Sequence, residues 1–257
     1  MKMFSSFNLG LALLFTCMHS DIHASEWKEL KKGNDEFVNN KKFARQRSKL
    51  KSQNPGTVVL GCIDSRAPPE LVFNQGLGKL FVARSGGQVV DDVIIDSIEF
   101  CVGHFDVDTL IVLGHTRCGA VEGALARLRK NGGVVDPDLP GHLHAVLIPI
   151  EKAIVAAGIN IYAPNALKLS IRANISYIAN QLLNESATIK KAVTKGKVRL
   201  IGAELNVLTG RVRKQFELTG KDLSTKAHPF NLLPKMQDFS HAQKATSHGV
   251  ESFCTCH

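Results

Sequence analysis

The chain has 257 residues, 44% of them hydrophobic, which suffices to bury one sizeable core or at most two small ones. Its formal net charge is +9, but Lys and Arg are spread through 28–51, 127–130, 190–199 and 211–226 among acids and apolar residues, with no aromatic-interleaved basic motif. That pattern speaks against a nucleic-acid partner and for a soluble basic surface whose summed field draws in small anions.

In chain order, Lys2 precedes an apolar run from Leu9 to Met18, broken only by Gly10 and Thr16. The polar stretch 20–25 then offers Ala24 as a small residue before a cut. The run is too short to span a bilayer and has the dimensions of a signal-peptide core. Residues 1–24 are therefore expected to be a signal peptide, and the product exported, which in a bacterium means the periplasm. A lipoprotein anchor at Cys17 fits less well, because Phe15 and Thr16 make a poor lipidation box. No other stretch is long and apolar enough to cross a membrane, so no membrane association is expected after cleavage.

Residues 27–43 are charged and amphipathic, with Trp27, Leu30, Asn34, Phe37 and Val38 at helical spacings. Thr57–Cys62 (TVVLGC) reads as a buried strand and 80–83 as a second. Helical spacing recurs over 92–102, with Ile95, Ile98 and Val102 on one side. Residues 109–114 (TLIVLG) form a third strand, followed by a helix over 119–129 and a Gly-, Pro- and Asp-rich loop over 131–140. Two helical stretches, 143–157 and 169–192, precede a last strand over 197–207 and a turn at Thr209–Gly210. Strands alternating with helices predict an α/β fold with a parallel sheet covered on both faces. The domain is expected over 25–225, and 226–257 reads as a loose polar, His-rich tail.

Two short motifs follow two of these strands. In Cys62-Ile63-Asp64-Ser65-Arg66 a thiol, a carboxylate and a guanidinium recur at every second residue, so a persisting strand would project all three to one side. In His115-Thr116-Arg117-Cys118 an imidazole and a thiol sit three apart at a strand-to-turn junction. Both would deliver side chains to the crevice beyond the strand ends, where ligands collect in open α/β sheets. Each motif alone is equally read as a core Cys with a polar neighbour. Together, two thiolates and an imidazole make a zinc ligand set that leaves a fourth position for water. Of the six cysteines, Cys101 reads as a small buried hydrophobe, and Cys254 and Cys256 lie in the tail. The tail's Cys254, Cys256 and His257 form either a second metal site or an incidental thiol pair.

CIDSRAPPEL, FVARSGGQ, SIEF and IVLGHTRCGAV resemble the β-class carbonic anhydrases in order, spacing and flanking residues, and the similarity runs from about residue 27 to about residue 210. The resemblance implies the β-carbonic anhydrase fold, a mostly parallel sheet flanked by helices and extended across a tight homodimer or a higher homo-oligomer. It implies zinc held by Cys62, His115 and Cys118, with Asp64 either taking the fourth position or releasing it to water while paired with Arg66. It further implies Gln53 as a substrate-orienting amide, Phe81 and Phe100 as walls of the carbon dioxide pocket, and Gly119 as a point of close backbone approach. Arg84 reads as an anion-binding, a bracing or a purely structural cation. The expected activity is reversible hydration of carbon dioxide to bicarbonate. This chemistry fits the residues: zinc lowers the pKa of its water to about 7, Asp64 can orient that water, and Arg66 can hold Asp64 ionised. The bicarbonate-inhibition pocket of some members needs a Trp and a Tyr where this chain has Val59 and Leu205. A related hydrolase acting on a molecule such as carbon disulfide, a non-catalytic zinc module, and a hydrolase using Cys118 and His115 are the rival readings.

Overall fold

The computed structural model describes residues 26–138 and 141–224. The expected signal segment and the tail with Cys254, Cys256 and His257 lie outside the described residues. The chain divides into two compact units, one ending at Gln53 and one beginning at Asn54.

The first unit carries two helices, α1 (26–39) and α2 (Lys41–Lys49), where sequence periodicity predicts one through residue 43. Asn40 makes the break. Its extended backbone leaves the helix, and its side-chain oxygen accepts the N–H groups of Lys42 and Phe43, which caps α2. Phe37 and Phe43 then stack across the break with ring centroids 4.9 Å apart. Arg47 lies over the Phe37 ring and donates to the carbonyls of Phe37 and Val38.

The second unit is built on a five-stranded sheet: β1 (Thr57–Cys62), β2 (Phe81–Ser85), β3 (Thr109–His115), β4 (Arg199–Leu205) and β5 (Val212–Leu218). The order across the sheet is β2-β1-β3-β4-β5, and only β5 runs antiparallel, against β4. The central strands are β-branched or leucine-rich runs, as strands buried on both faces require. Between them lie α3 (Pro69–Val72), α4 (Asp92–His104), α5 (Gly119–Lys130), α6 (His144–Ala156), α7 (Ala166–Glu185) and α8 (Ala187–Thr194), and α9 (Gly220–Ser224) follows β5.

Alternation along the strands divides the core unevenly. Val58, Leu60 and Cys62 of β1, Leu110 and Val112 of β3, and Leu200 of β4 share one large core with α4, α5, α6, α7 and α8. Each fully buried Leu or Ile there contributes about 1.5–3 kcal/mol relative to an exposed one. On the other face Val59, Leu113, Ala203 and Leu205 meet a small cluster with Ala67, Val72, Phe73 and Val212. The cover expected on both faces is therefore lopsided within one chain, with the long helices on a single face.

Two elements depart from the sequence expectation. The single helix over 169–192 is α7 and α8, parted at Ser186, whose extended backbone ends one helix and whose hydroxyl caps the next by accepting Ile189 N–H at 2.9 Å. The same hydroxyl donates to Glu99 on α4. β5 was hidden in a stretch that reads as basic surface: Lys214 interrupts the apolar alternation of Val212, Phe216 and Leu218. Phe216 lies over Gly202 of β4, where a Cβ would come within 2.3 Å of its ring.

Candidate metal centre

β1 and β3 are neighbours, and the chain leaves them toward opposite edges of the sheet, β1 to β2 and β3 to β4. A crevice opens between carboxyl ends at such a switch point. Cys62 is the last residue of β1, His115 the last of β3, and Cys118 sits at the N-cap of α5. The three ligand atoms lie within 4.8 Å of one another, and all three residues are buried.

The two sulfurs are 4.0 Å apart. Their hydrogen bond pulls the Cys62 thiol down against burial and, together with burial, pushes the Cys118 thiol up. Gly87 N–H also donates to Cys62 Sγ at 3.3 Å. His115 donates from Nδ1 to the Thr116 carbonyl at 3.0 Å, which turns Nε2 toward the sulfurs. That nitrogen is buried and has no hydrogen-bond partner. Burial opposes a charge on the imidazole most strongly, yet the nearby Cys62 sulfur, the Thr116 carbonyl and Asp64 together outweigh it and raise His115 above its ordinary value. An orphaned nitrogen beside two sulfurs that attract positive charge is the donor set that suits a zinc ion.

The dyad is formed, by a different route from the one the spacing suggests. Extended backbone stops at Cys62, Ile63 is exposed, and residues 65–66 turn. Arg66 N–H donates to Asp64 Oδ1 at 2.9 Å, and Ala67 N–H to the Asp64 carbonyl at 3.0 Å. This turn lets the guanidinium fold back on the carboxylate, Nε to Oδ1 at 2.9 Å and a terminal nitrogen to Oδ2 at 2.7 Å. Arg66 also donates to the Arg117 carbonyl at 3.1 Å, tying the two motif loops together. Arg66 holds the Asp64 carboxyl well below the usual carboxylate range. Asp64 Oδ2 comes within 3.9 Å of His115 Nε2, but both its oxygens are engaged by Arg66.

The other expected site residues scatter. Gly119 opens α5 beside Cys118, and a Cβ there would meet nothing within 4 Å. Arg84 is a brace: it donates to the carbonyls of Cys62 and Asp64 at 2.8 and 2.7 Å. Phe81 pairs with Val58, whereas Cys62 pairs with Ser85, so Phe81 lies at the amino end of the sheet, about 13 Å of strand from the cluster. Phe81 and Phe100 both pack on Phe105, at centroid distances of 4.9 and 5.7 Å, and Phe100 is 52% exposed. Within one chain neither aromatic reaches the metal crevice. Gln53 closes the N-terminal unit as an exposed side chain. Val59 and Leu205 are buried in the small cluster, and Cys101 is half-buried against the large core.

Three supports of the site went unread in the sequence. The Thr116 carbonyl orients His115. Arg117, between the two ligands of its loop, takes a left-handed backbone at φ 57°. Asn174, wholly buried on α7, donates to the Gly87 carbonyl at 2.8 Å and so steadies the amide that serves Cys62. An Asn flanked by Ala173 and Ile175 in α7 is the available signal.

The α/β chain thus sets Cys62 and His115 at the ends of adjoining parallel strands and Cys118 at the start of the next helix, with a carboxylate–guanidinium pair beside them, a Cys₂His set able to hold a metal ion. The carbonic anhydrase family model matches residues 57–212, and the chain belongs to that family. Carbonic anhydrase 2 of Mycobacterium tuberculosis is 41% identical over 121 residues, 45% of this chain; the match spans 56% of that protein, little more than half its length. A carbonic anhydrase of Mycolicibacterium smegmatis is 29% identical over 198 residues, 75% of this chain and 93% of that one. The fold is that of the β-carbonic anhydrases: a tetrameric one from Sordaria macrospora superposes with a TM-score of 0.60 at 20% identity, covering 78% of this chain and all of that one.

Proposed function

We propose that this chain is a zinc-dependent β-class carbonic anhydrase that reversibly hydrates carbon dioxide to bicarbonate and a proton. The observation that carries the reading is the partnerless, buried His115 Nε2, within 4.8 Å of two sulfurs and next to a fully hydrogen-bonded Asp64–Arg66 pair. Cys62, His115 and Cys118 hold the zinc. When bound, zinc supplies the Lewis acidity that lets water ionise near neutral pH. Asp64, kept ionised by Arg66, is an acceptor only, so it takes a hydrogen bond from the attacking water and aims a lone pair at the carbon. Because Arg66 engages both carboxylate oxygens, Asp64 would stand beside the ion as a hydrogen-bond acceptor while Cys62, His115 and Cys118 would hold it. A metal store needs neither residue, which sets the catalytic reading above a zinc-binding module.

The pocket is proposed to be completed by Gly119, and by Phe81 and Phe100 supplied from a second copy, since within one chain both aromatics sit at the far end of the sheet. A homodimer or higher homo-oligomer is the corresponding assembly, and the protein is proposed to be exported. The test is metal content measured with carbon dioxide hydration, before and after chelation. Purified protein should carry about one zinc per chain, lose hydration on chelation and recover it with added zinc. Full activity in zinc-free protein overturns the reading.

A further inference from the structure

The loop that carries His115 and Cys118 has a second face. Thr116 and Arg117 line a cavity of about 780 Å³ walled by α7, the end of β4 and the start of β5. Five cations from four segments converge on it: Arg117 from the metal loop, Lys168 and Arg172 from α7, Arg211 from the β4–β5 turn and Arg213 from β5. Glu204 is the one carboxylate of the lining, and it is committed to Arg172 at 3.0 Å and to the Gln215 amide at 3.3 Å. The 20-residue helix α7 begins at the rim with no side-chain cap and no acid in its first turn, which leaves its positive end toward the same space. Like charges gathered in a concave site repel one another, and an anion there relieves the repulsion.

We propose that this cavity binds a small phosphorylated anion carrying more than one negative charge. Four of the five cations are arginines, whose planar forks match the oxygens of a phosphate group. The volume exceeds what a four-heavy-atom anion such as bicarbonate fills, and cations supplied by α7, the metal loop and the β4–β5 hairpin suit an anion with more than one charged group. None of the zinc ligands and neither member of the Asp64–Arg66 pair lines the cavity, so the proposal is independent of the assigned activity.

Calorimetric titration of the zinc-loaded full chain with fructose 1,6-bisphosphate and with inorganic phosphate, at constant ionic strength set by chloride, tests it. Saturable binding is expected at about one site per chain, tighter for the bisphosphate. Lys168 and Arg211 are exposed, so the double variant Lys168→Ser, Arg211→Ser should fold normally. It should bind the bisphosphate about tenfold more weakly while its carbon dioxide hydration rate stays parental. The proposal is overturned if neither anion gives saturable binding, or if the double variant binds the bisphosphate as tightly as the parent.

Discussion

Asp64 and Arg66 illustrate how much depends on a turn of two residues. The pair forms because the chain leaves β1 at Cys62 and curls, and its bidentate contact keeps Asp64 ionised through the whole working pH range. Asp64→Ala removes the acceptor that orients water without touching a member of the Cys62–His115–Cys118 set. Zinc content should stay parental while kcat falls about 10²- to 10⁴-fold. Arg66→Ala should retain zinc as well and lose turnover to a similar extent, since the freed carboxylate can then swing toward the metal position it now leaves open. Stopped-flow hydration and metal analysis on the two variants check this, and parental rates in either would remove the role assigned to the pair.

At the scale of elements, the short turn Gly86–Gln88 joins the site to the core. Gly87 sits at φ 61°, and a Cβ on it would lie 2.7 Å from Ile150 Cδ1 on α6 and 3.2 Å from Ala120 Cβ on α5. Its N–H meets Cys62 Sγ, and its carbonyl is held by Asn174 of α7. Gly87→Ala combines left-handed strain with overpacking, so it should cost about 2–4 kcal/mol of stability and weaken zinc retention. Adding Ile150→Val deletes the nearest clashing methyl group, and the double variant should recover part of the loss but not the backbone strain. Denaturant midpoints of the single and double variants separate the two causes; a fully stable Gly87→Ala would contradict the packing described.

For the molecule as a whole, Glu151 gives stability a pH signature. It is wholly buried on α6, and Arg127 of α5 donates to both its oxygens at 2.9 and 3.0 Å. Burial raises its pKa more than Arg127 lowers it, so the folded state holds this proton more tightly than the unfolded chain. The group's contribution is therefore greatest below the ordinary carboxylate range, and it declines as pH rises from there through the raised value. Glu151→Gln abolishes that titration. The stability difference, parent minus variant, should shrink as pH climbs out of the carboxylate range and then level off, whatever offset the broken ion pair adds. A difference constant with pH would show that Glu151 does not titrate abnormally. The export reading also belongs at this scale: protein recovered from its native host should begin near Ser25, and an intact Met1 would refute it.

The sequence by itself determined the parallel strands and most of the helices between them, and it singled out Cys62, His115, Cys118, Asp64 and Arg66 as the candidate site. Each of these rests on local chemistry: apolar β-branched runs, helical periodicity, and donor residues placed directly after strand ends. β5 is illegible because its register against β4 shifts between Gly202 and Ala203, so Val212 packs on the small cluster and Phe216 and Leu218 on the large core, and no single alternating face runs along it. The break at Ser186 was illegible because a capping hydroxyl overrides a periodic pattern that continues on both sides. Only the tertiary structure decided that Asp64 meets Arg66 through a turn, that Phe81 and Phe100 lie at the other end of the sheet, and that five cations from distant segments share one cavity with a single carboxylate. The physical reason is common to all three. Register, turn closure and convergence are set by contacts between residues far apart in the chain, and no local pattern of side chains encodes them.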